Sequence, residues 1–327
     1  MNGLERVQIL GTGGWGTAVA ILLAKQDRPV SLWGRSPEFL QEMQESGENE
    51  KYLPGVPIPE ALHFGLDPDA DLYVEAIPTQ HIRKILQGIS LGGAPVISLS
   101  KGLEVGTQLR PTEIIQDVLG ERTCGVLSGP SHGEEVARGL PATLVVASDD
   151  QAFSDLVQER FMGETFRVYT STDVVGVELG GALKNVIAIA AGTCDGLGLG
   201  QNAKAALLTR GIVEIARLGK ALGAEWDTFF GVSGVGDLIT TCESPYGRNL
   251  RVGRELGSGR TIQEVLDSMA AVPEGVWTCK VALEVAREKG IDMPITEQVV
   301  AIIEEGKDPR LAVRDLMKRD PKPEREG

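Results

Sequence analysis

Between Leu179 and Cys194 the only charged side chain is Lys184, set among Leu183, Val186, Ile187, Ala188 and Ile189 in a run apolar nearly all round a helix. Such a helix must be largely buried. A buried ammonium is costly unless it is paired or has a task, and desolvation lowers its pKa toward working pH, where it can give and take a proton. Gly180, Gly181 and Ala182 leave room beside it for a ligand or a second backbone, and Asn185 offers a companion amide. Snorkelling of the amine to the surface is the competing reading. Asp237 repeats the pattern as the one charge between Thr228 and Cys242. An Asp after a glycine also suits a helix cap. If it meets Lys184 instead, its carboxylate positions that amine.

A second group of residues is built for anions. Gly11-Thr12-Gly13-Gly14-Trp15-Gly16 follows an apolar run directly and opens a helical pattern. Read by position, Gly11 makes the tight turn, Gly13 admits a pyrophosphate to the backbone, and Gly16 lets helix and strand pack closely. The diphosphate then lies on free N–H groups at the helix amino end. About twenty residues on, where an acid would read the ribose hydroxyl of NAD, the chain has Trp33-Gly34-Arg35-Ser36 and no acid before Glu38. Arg35 and Ser36 suit a 2′-phosphate, which favours NADP over NAD, although an arginine stacked on the base serves NAD too. Lys101 follows the apolar run Val96–Leu99 and so projects from a strand end into the crevice where ligands of such sheets lie, unless it is an ordinary loop lysine. Gly129 and Ser131, after a later strand, offer a close backbone approach and a hydroxyl at the start of the next helix. Arg248, Arg251 and Arg254 recur every three residues along one helical face, with Asn249 among them. They form a candidate phosphate clamp, but Glu243 and Glu255 make ordinary surface pairing the better reading of Arg251 and Arg254.

The elements that must hold these residues are legible from period. Short apolar runs at Val7–Leu10, Val30–Trp33, Leu72–Ile77, Val96–Leu99, Gly125–Leu127, Thr143–Val146 and Phe166–Tyr169 alternate with helical segments such as Trp15–Gln26, Gln80–Leu86 and Pro111–Leu119. That alternation predicts an α/β fold, a Rossmann-like doubly wound and mostly parallel sheet. Pro54–Pro59 reads as loop. After about Asp173 only helical patterns follow, at 173–194, 202–222, 248–256, 262–269, 276–288 and 295–304. The expected organisation is a dinucleotide-binding domain over residues 1–172 and an all-α substrate and catalytic domain over 173–327, with a charged tail from Lys318 that frays.

Composition narrows the partners. Lys and Arg number 32 against 46 Asp and Glu, a net charge of −14, so neither nucleic acid nor anionic lipid is an expected partner. Any phosphate must be held by locally gathered cations and amides. Cys124, Cys194, Cys242 and Cys279 stand singly and there are 3 histidines, which argues against a metal site or disulfide framework and fits a reducing compartment. The chain moves from Met1 straight to a strand pattern, so no signal peptide is expected, and its longest uncharged run, Ile85 to Ser100, is too short and polar to span a bilayer. The expectation is a cytoplasmic protein.

The motifs GTGGWGTAVA, LWGR, SKGLE, SGPS, LGGALKNVIAIAAG, GDLITTC, GRN and MPIT occur in one order. From about residue 5 to residue 318 the chain resembles the bacterial-type NAD(P)-dependent sn-glycerol-3-phosphate dehydrogenases. The resemblance implies reversible reduction of dihydroxyacetone phosphate to glycerol 3-phosphate for phospholipid synthesis, usually by a homodimer. Carried across, Lys184 is the general acid–base, Asp237 holds it and the substrate hydroxyls, and Lys101 touches cofactor and substrate. Gly129, Ser131, Gly247, Arg248 and Asn249 complete the substrate pocket, with Arg248 at the phosphate and also beside the cofactor. Gly14, Trp15, Arg35, Gly133, Val272 and Glu274 fall where the family meets the dinucleotide. His132-Gly133 stands where Phe-Ala is common, Gly247 where Ser precedes Arg-Asn, and Pro273 where Val precedes Glu-Gly. Those departures bear on affinity and loop rigidity.

Two other functions fit parts of the pattern. A dehydrogenase of a 2-ketoacid or sugar acid would use Arg248 on a carboxylate. A non-catalytic NADP sensor would bind cofactor without turnover, and gives no reason for Lys184 in an apolar helix.

Overall fold

The computed structural model describes residues 4–324 except Asp27, Ala270 and Lys322. The first half runs β1 (Val7–Leu10), α1 (Gly14–Ala24), β2 (Val30–Trp33), α2 (Pro37–Ser46), β3 (Glu48–Asn49), β4 (Leu53–Pro57), β5 (Leu62–Phe64), β6 (Leu72–Glu75), α3 (Thr79–Gln87), β7 (Val96–Ser98), α4 (Pro111–Leu119), β8 (Cys124–Ser128), α5 (Gly133–Ala137), β9 (Ala142–Ala147), α6 (Gln151–Phe161) and β10 (Phe166–Ser171). Eight strands form one sheet in the order β10-β9-β8-β7-β6-β1-β2-β5. Neighbours are parallel throughout, except that β9 runs antiparallel to β8. The reason is local. The link from β8 to β9 carries a single five-residue helix, α5, whereas the helices that link parallel strands in this half have nine residues or more. The apolar runs β1, β6, β7 and β8 are buried along their whole length, as central strands covered on both faces must be.

One expectation fails here. Pro54–Pro59 is not simply loop, because Leu53–Pro57 pairs antiparallel with Glu48–Asn49. Pro54 and Pro57 break the usual strand signal, but a two-stranded ribbon outside the main sheet tolerates prolines at positions that need no N–H.

Among the described residues every regular element after Ser171 is helical: α7 (Val174–Gly196), α8 (Gly200–Ala221), a 3₁₀ turn at Trp226–Phe230, a π turn at Val232–Gly236, then α9 (Asp237–Glu243), α10 (Arg248–Gly257), α11 (Ile262–Asp267), α12 (Glu274–Glu288), α13 (Pro294–Glu305) and α14 (Pro309–Met317). The two turns and α9 are too short or irregular to show as a 3.6-residue period, whereas α14 carries that period and was missed. Of the charged tail, 322 and 325–327 lie outside the described residues. At the centre stands α7. By length and hydropathy it could cross a membrane, yet 83% of its apolar window is buried inside the protein, so it is a core helix. Glycines bring α10 against it. A Cβ on Gly253 would sit 2.0 Å from the Ile189 carbonyl, and one on Gly192 would sit 2.1 Å from that of Leu250. This approach ties the end of α10 carrying Arg248 and Asn249 to the helix carrying Lys184.

Candidate active site

The glycine turn after β1 has the geometry its spacing requires. Gly11 has φ +127°, a Cβ there would meet the Ala76 carbonyl at 2.4 Å, and one on Gly16 would meet the Gly11 carbonyl at 2.1 Å. Gly13 differs: nothing lies within 4 Å of its Cβ position, which leaves an open face at the amino end of α1. No acidic side chain occupies the first turn of α1, so its free N–H groups suit an anion. Gly133, the first residue of α5, packs against Gly14, whose carbonyl is 3.1 Å from its Cβ position. Trp15 lies beside them, half-buried, with its ring N–H unpartnered.

Beyond the end of β2 a cleft of about 1030 Å³ opens between Thr12, Arg35, Phe39, Lys51 and Tyr52. Arg35 is exposed and makes no hydrogen bond or ion pair among the described residues. Ser36 is less available than expected. Its hydroxyl caps α2 by accepting from the Phe39 amide at 3.2 Å, and it donates to Glu38 at 2.8 Å. Sequence reasoning missed Lys51, whose ammonium lies 5.0 Å from the Tyr52 ring centroid and 5.8 Å from that of Phe39. Glu38, Glu42 and Glu45 line the same cleft and oppose a second phosphate there.

The candidate reactive centre lies where the ends of β7 and β8 meet α7 and α9. Lys184 is 6% exposed and Asp237 1%. The Lys184 ammonium donates to Asp237 Oδ1 and, at 2.7 Å, to the Thr241 hydroxyl. The Lys101 ammonium donates to Asp237 Oδ2 at 2.8 Å and to the Gly129 carbonyl at 2.9 Å. Ser131 donates to the same carbonyl at 2.9 Å. Asp237 is therefore no cap. It is the first residue of α9, its side chain makes no capping bond, and both oxygens serve lysines. Burial pushes Lys184 down to about 8, Asp237 opposes that shift, and Lys101 adds to it. The π turn before α9 sets Asp237 at this depth. Ser233 in that turn touches α7 where Gly180 leaves space, its carbonyl 2.9 Å from the Cβ position. Thr241, one turn after Asp237, was findable from that i,i+4 spacing.

The arginine stripe dissolves. Arg254 pairs with Asp195 at 2.9 Å and Arg251 with Glu255 at 3.9 Å. Arg248 is exposed, forms no hydrogen bond or ion pair among the described residues, and lies near enough to Glu274 to lower its pKa. Asn249 faces inward, donating to Asn185 at 3.0 Å and accepting from the Gly275 amide at 3.0 Å. Gly247 is the N-cap of α10, packed near the Thr241 carbonyl. Val272 is exposed just before α12.

Two carboxyls complete the crevice. Glu274, at the start of α12, accepts from the Thr79 amide at the start of α3 at 3.0 Å and so joins the two halves. Its Oε2 and the nearby Thr79 hydroxyl are buried without partners, and burial pushes its pKa up to about 7. Glu75 was missed, although an acid inside an apolar strand carries the same signal as Lys184. It accepts from Ser98 at 2.6 Å and Ser100 at 2.9 Å, and burial pushes it up to about 7. Open space at Gly13, the unpartnered Trp15, Thr79 and Glu274 atoms, and the free Arg35 all fit a dinucleotide.

A doubly wound sheet with a glycine-rich first turn, joined to a helical unit that supplies a buried lysine, defines a Rossmann-type oxidoreductase. Residues 6–154 match the family model for the N-terminus of NAD-dependent glycerol-3-phosphate dehydrogenase, and residues 173–314 the model for its C-terminus. The glycerol-3-phosphate dehydrogenase [NAD(P)+] of Prosthecochloris aestuarii is 46% identical over 97% of this chain and 99% of its own length. That of Geobacillus kaustophilus is 48% identical over 98% of this chain and 96% of its own. The crystal structure of glycerol-3-phosphate dehydrogenase from Coxiella burnetii superposes with a TM-score of 0.91 at 37% identity, covering 96% of this chain and 99% of that one. The chain belongs to the NAD-dependent glycerol-3-phosphate dehydrogenase family.

Proposed function

We propose that this enzyme reversibly reduces dihydroxyacetone phosphate to sn-glycerol 3-phosphate with NAD(P)H, a supply reaction for phospholipid synthesis. The observation that carries the chemistry is the buried Lys184–Asp237–Lys101 cluster at the strand ends. The nicotinamide, when bound, supplies the hydride. In the reducing direction Lys184, protonated, gives its proton to the C2 oxygen as C2 is reduced, and the neutral amine regains one from solvent. An ammonium with a pKa of about 8 is poised to do both near neutrality. Asp237 fixes the amine and keeps two like charges in one pocket tolerable.

Arg248 is free to meet the substrate phosphate, with Lys101, Gly129, Ser131, Gly247 and Asn249 shaping the pocket. Gly11, Gly13, Gly14 and Gly16 give the diphosphate its seat. Trp15, Arg35, Lys101, Gly133, Arg248, Val272 and Glu274 line the rest of the cofactor path. Arg35 and Lys51 favour NADP, against the glutamates that line the same cleft, with NAD accepted. The division of labour falls at about residue 172, with the dinucleotide held by 1–172 and the substrate mainly by 173–327. The working form is a homodimer in the cytoplasm; the four cysteines are buried and unpaired, consistent with a reducing compartment.

The test is oxidation of NADPH by dihydroxyacetone phosphate, comparing wild type with Lys184→Ala. Wild type turns over, more slowly with NADH, and the variant loses about a hundredfold or more in kcat. A folded wild type that binds NADPH but does not oxidise it with this substrate refutes the assignment, and 2-ketoacids are then the next substrates to try.

A further inference from the structure

The acceptors around the reactive centre are nearly all taken. Both Asp237 oxygens face lysines, the Gly129 carbonyl receives Lys101 and Ser131, Asn249 Oδ1 receives the Gly275 amide, and Asn185 Oδ1 receives Asn249. The exceptions are Ser128 Oγ at the end of β8, Thr79 Oγ1 and Glu274 Oε2 on the cofactor side, and His132. His132 sits in the loop between β8 and α5, its ring 5.8 Å from the Tyr246 ring just before α10, so it spans the cleft between the two halves. Its Nε2 is buried and has no partner among the described residues. We propose that His132 reads the substrate's free hydroxymethyl group, its Nε2 accepting a hydrogen bond from the C1 hydroxyl at the end opposite the phosphate.

The electrostatics agree with an acceptor. Burial lowers the pKa of His132 and the nearby Lys184 lowers it further, against Glu134 and Glu135 of α5 and the Thr240 backbone of α9, which raise it. A neutral ring has one N–H and one lone pair. Nε2 has no partner among the described residues, so the Thr240 backbone contact falls to Nδ1, which assigns the proton to Nδ1 and the lone pair to Nε2. As ammonium groups, the form in which reduction begins, Lys184 and Lys101 are donors only and cannot accept from a hydroxyl. A site with a buried acceptor rejects an analogue that lacks the donor, because the acceptor is left unpaired.

This inference rests on the reaction proposed above, and the test separates the two. We would measure kcat/KM for dihydroxyacetone phosphate and for hydroxyacetone phosphate, which carries a methyl group in place of the hydroxymethyl. Wild type and His132→Phe would be compared, the Phe keeping the contact with Tyr246 and the shape of the ring. Wild type should prefer the hydroxylated substrate by about tenfold or more, the factor one buried hydrogen bond confers. In His132→Phe the value for dihydroxyacetone phosphate falls by about that factor while the value for the methyl analogue holds, so the preference collapses. The wild-type KM for dihydroxyacetone phosphate should also rise as pH falls and His132 protonates, and His132→Phe should lose that dependence. An equal loss on both substrates, or no loss on either, overturns the role. A wild type inert toward dihydroxyacetone phosphate overturns the reaction itself and this inference with it.

Discussion

Two buried carboxylates meet cations close to α7, and they are built for opposite purposes. Glu178, on α7 itself, accepts from the Arg110 guanidinium at 2.5 Å, the Thr112 amide at 2.9 Å and the Thr112 hydroxyl at 2.8 Å. Its cation cannot lose a proton at any working pH, and its acceptors are filled from α4, so it pins the sheet half to the helical half. Burial still pushes the Glu178 carboxyl upward, opposed by Arg110 and Thr112. Asp237 instead meets two lysines, and burial brings one of them, Lys184, down to about 8. The choice of cation separates a strut from the proton relay we propose. A guanidinium locks the charge, whereas a desolvated ammonium leaves it free to move.

Breaking the strut should cost the most. Glu178→Gln leaves Arg110 with only its exposed partner Glu113, and we expect unfolding free energy to drop by ~3 kcal/mol, the scale for one orphaned partner of a buried pair. Denaturant melts would give this value. kcat of the folded fraction should stay near wild type, and a large fall in kcat without loss of stability would erase the contrast.

At the relay the effect moves to catalysis. On the proposed mechanism ketone reduction uses protonated Lys184, so kcat should fall as pH rises through about 8, and oxidation of glycerol 3-phosphate should fall as pH drops below it. Asp237→Asn removes the group that raises the Lys184 pKa, so the reductive limb should shift to lower pH and kcat drop by at least about tenfold. Full pH–rate profiles in both directions report this. A limb that stays in place would mean that another group donates the proton.

The arginines give a smaller version of the same contrast. Arg248→Ala should raise KM for the phosphorylated substrate by about tenfold or more, since a charge-assisted phosphate contact is lost. Arg254→Ala breaks an exposed pair with Asp195 and should cost under about 1 kcal/mol of stability with KM unchanged. Steady-state kinetics and thermal melts on the two variants would distinguish them, and equal KM effects would restore the three-arginine clamp.

Much of this was legible beforehand where the signal was local. The seven apolar runs all became strands, and Pro111–Leu119 became a helix over the same residues. The isolation of Lys184 and Asp237 in apolar sequence foretold their burial. Other features carried no period to detect. The β3–β4 ribbon is too short and too rich in proline, and the π turn at Val232–Gly236 follows no 3.6-residue repeat. Glu75 was visible as an acid in an apolar strand, but the importance of its position came only from Ser98 and Ser100 on the neighbouring segment.

The sequence by itself determined which elements form and which charges must be buried, because period and desolvation act on residues close together in the chain. Only the tertiary structure decided which buried charges meet. Lys101 and Asp237 lie 136 positions apart, and Thr79 and Glu274 lie 195 apart. Such pairs depend on sheet order, on the glycine-mediated approach of α10 to α7, and on the depth of one π turn. The reversed β9 and the single free arginine of the stripe were likewise decided by what packed nearby. No residue's own type could have specified them.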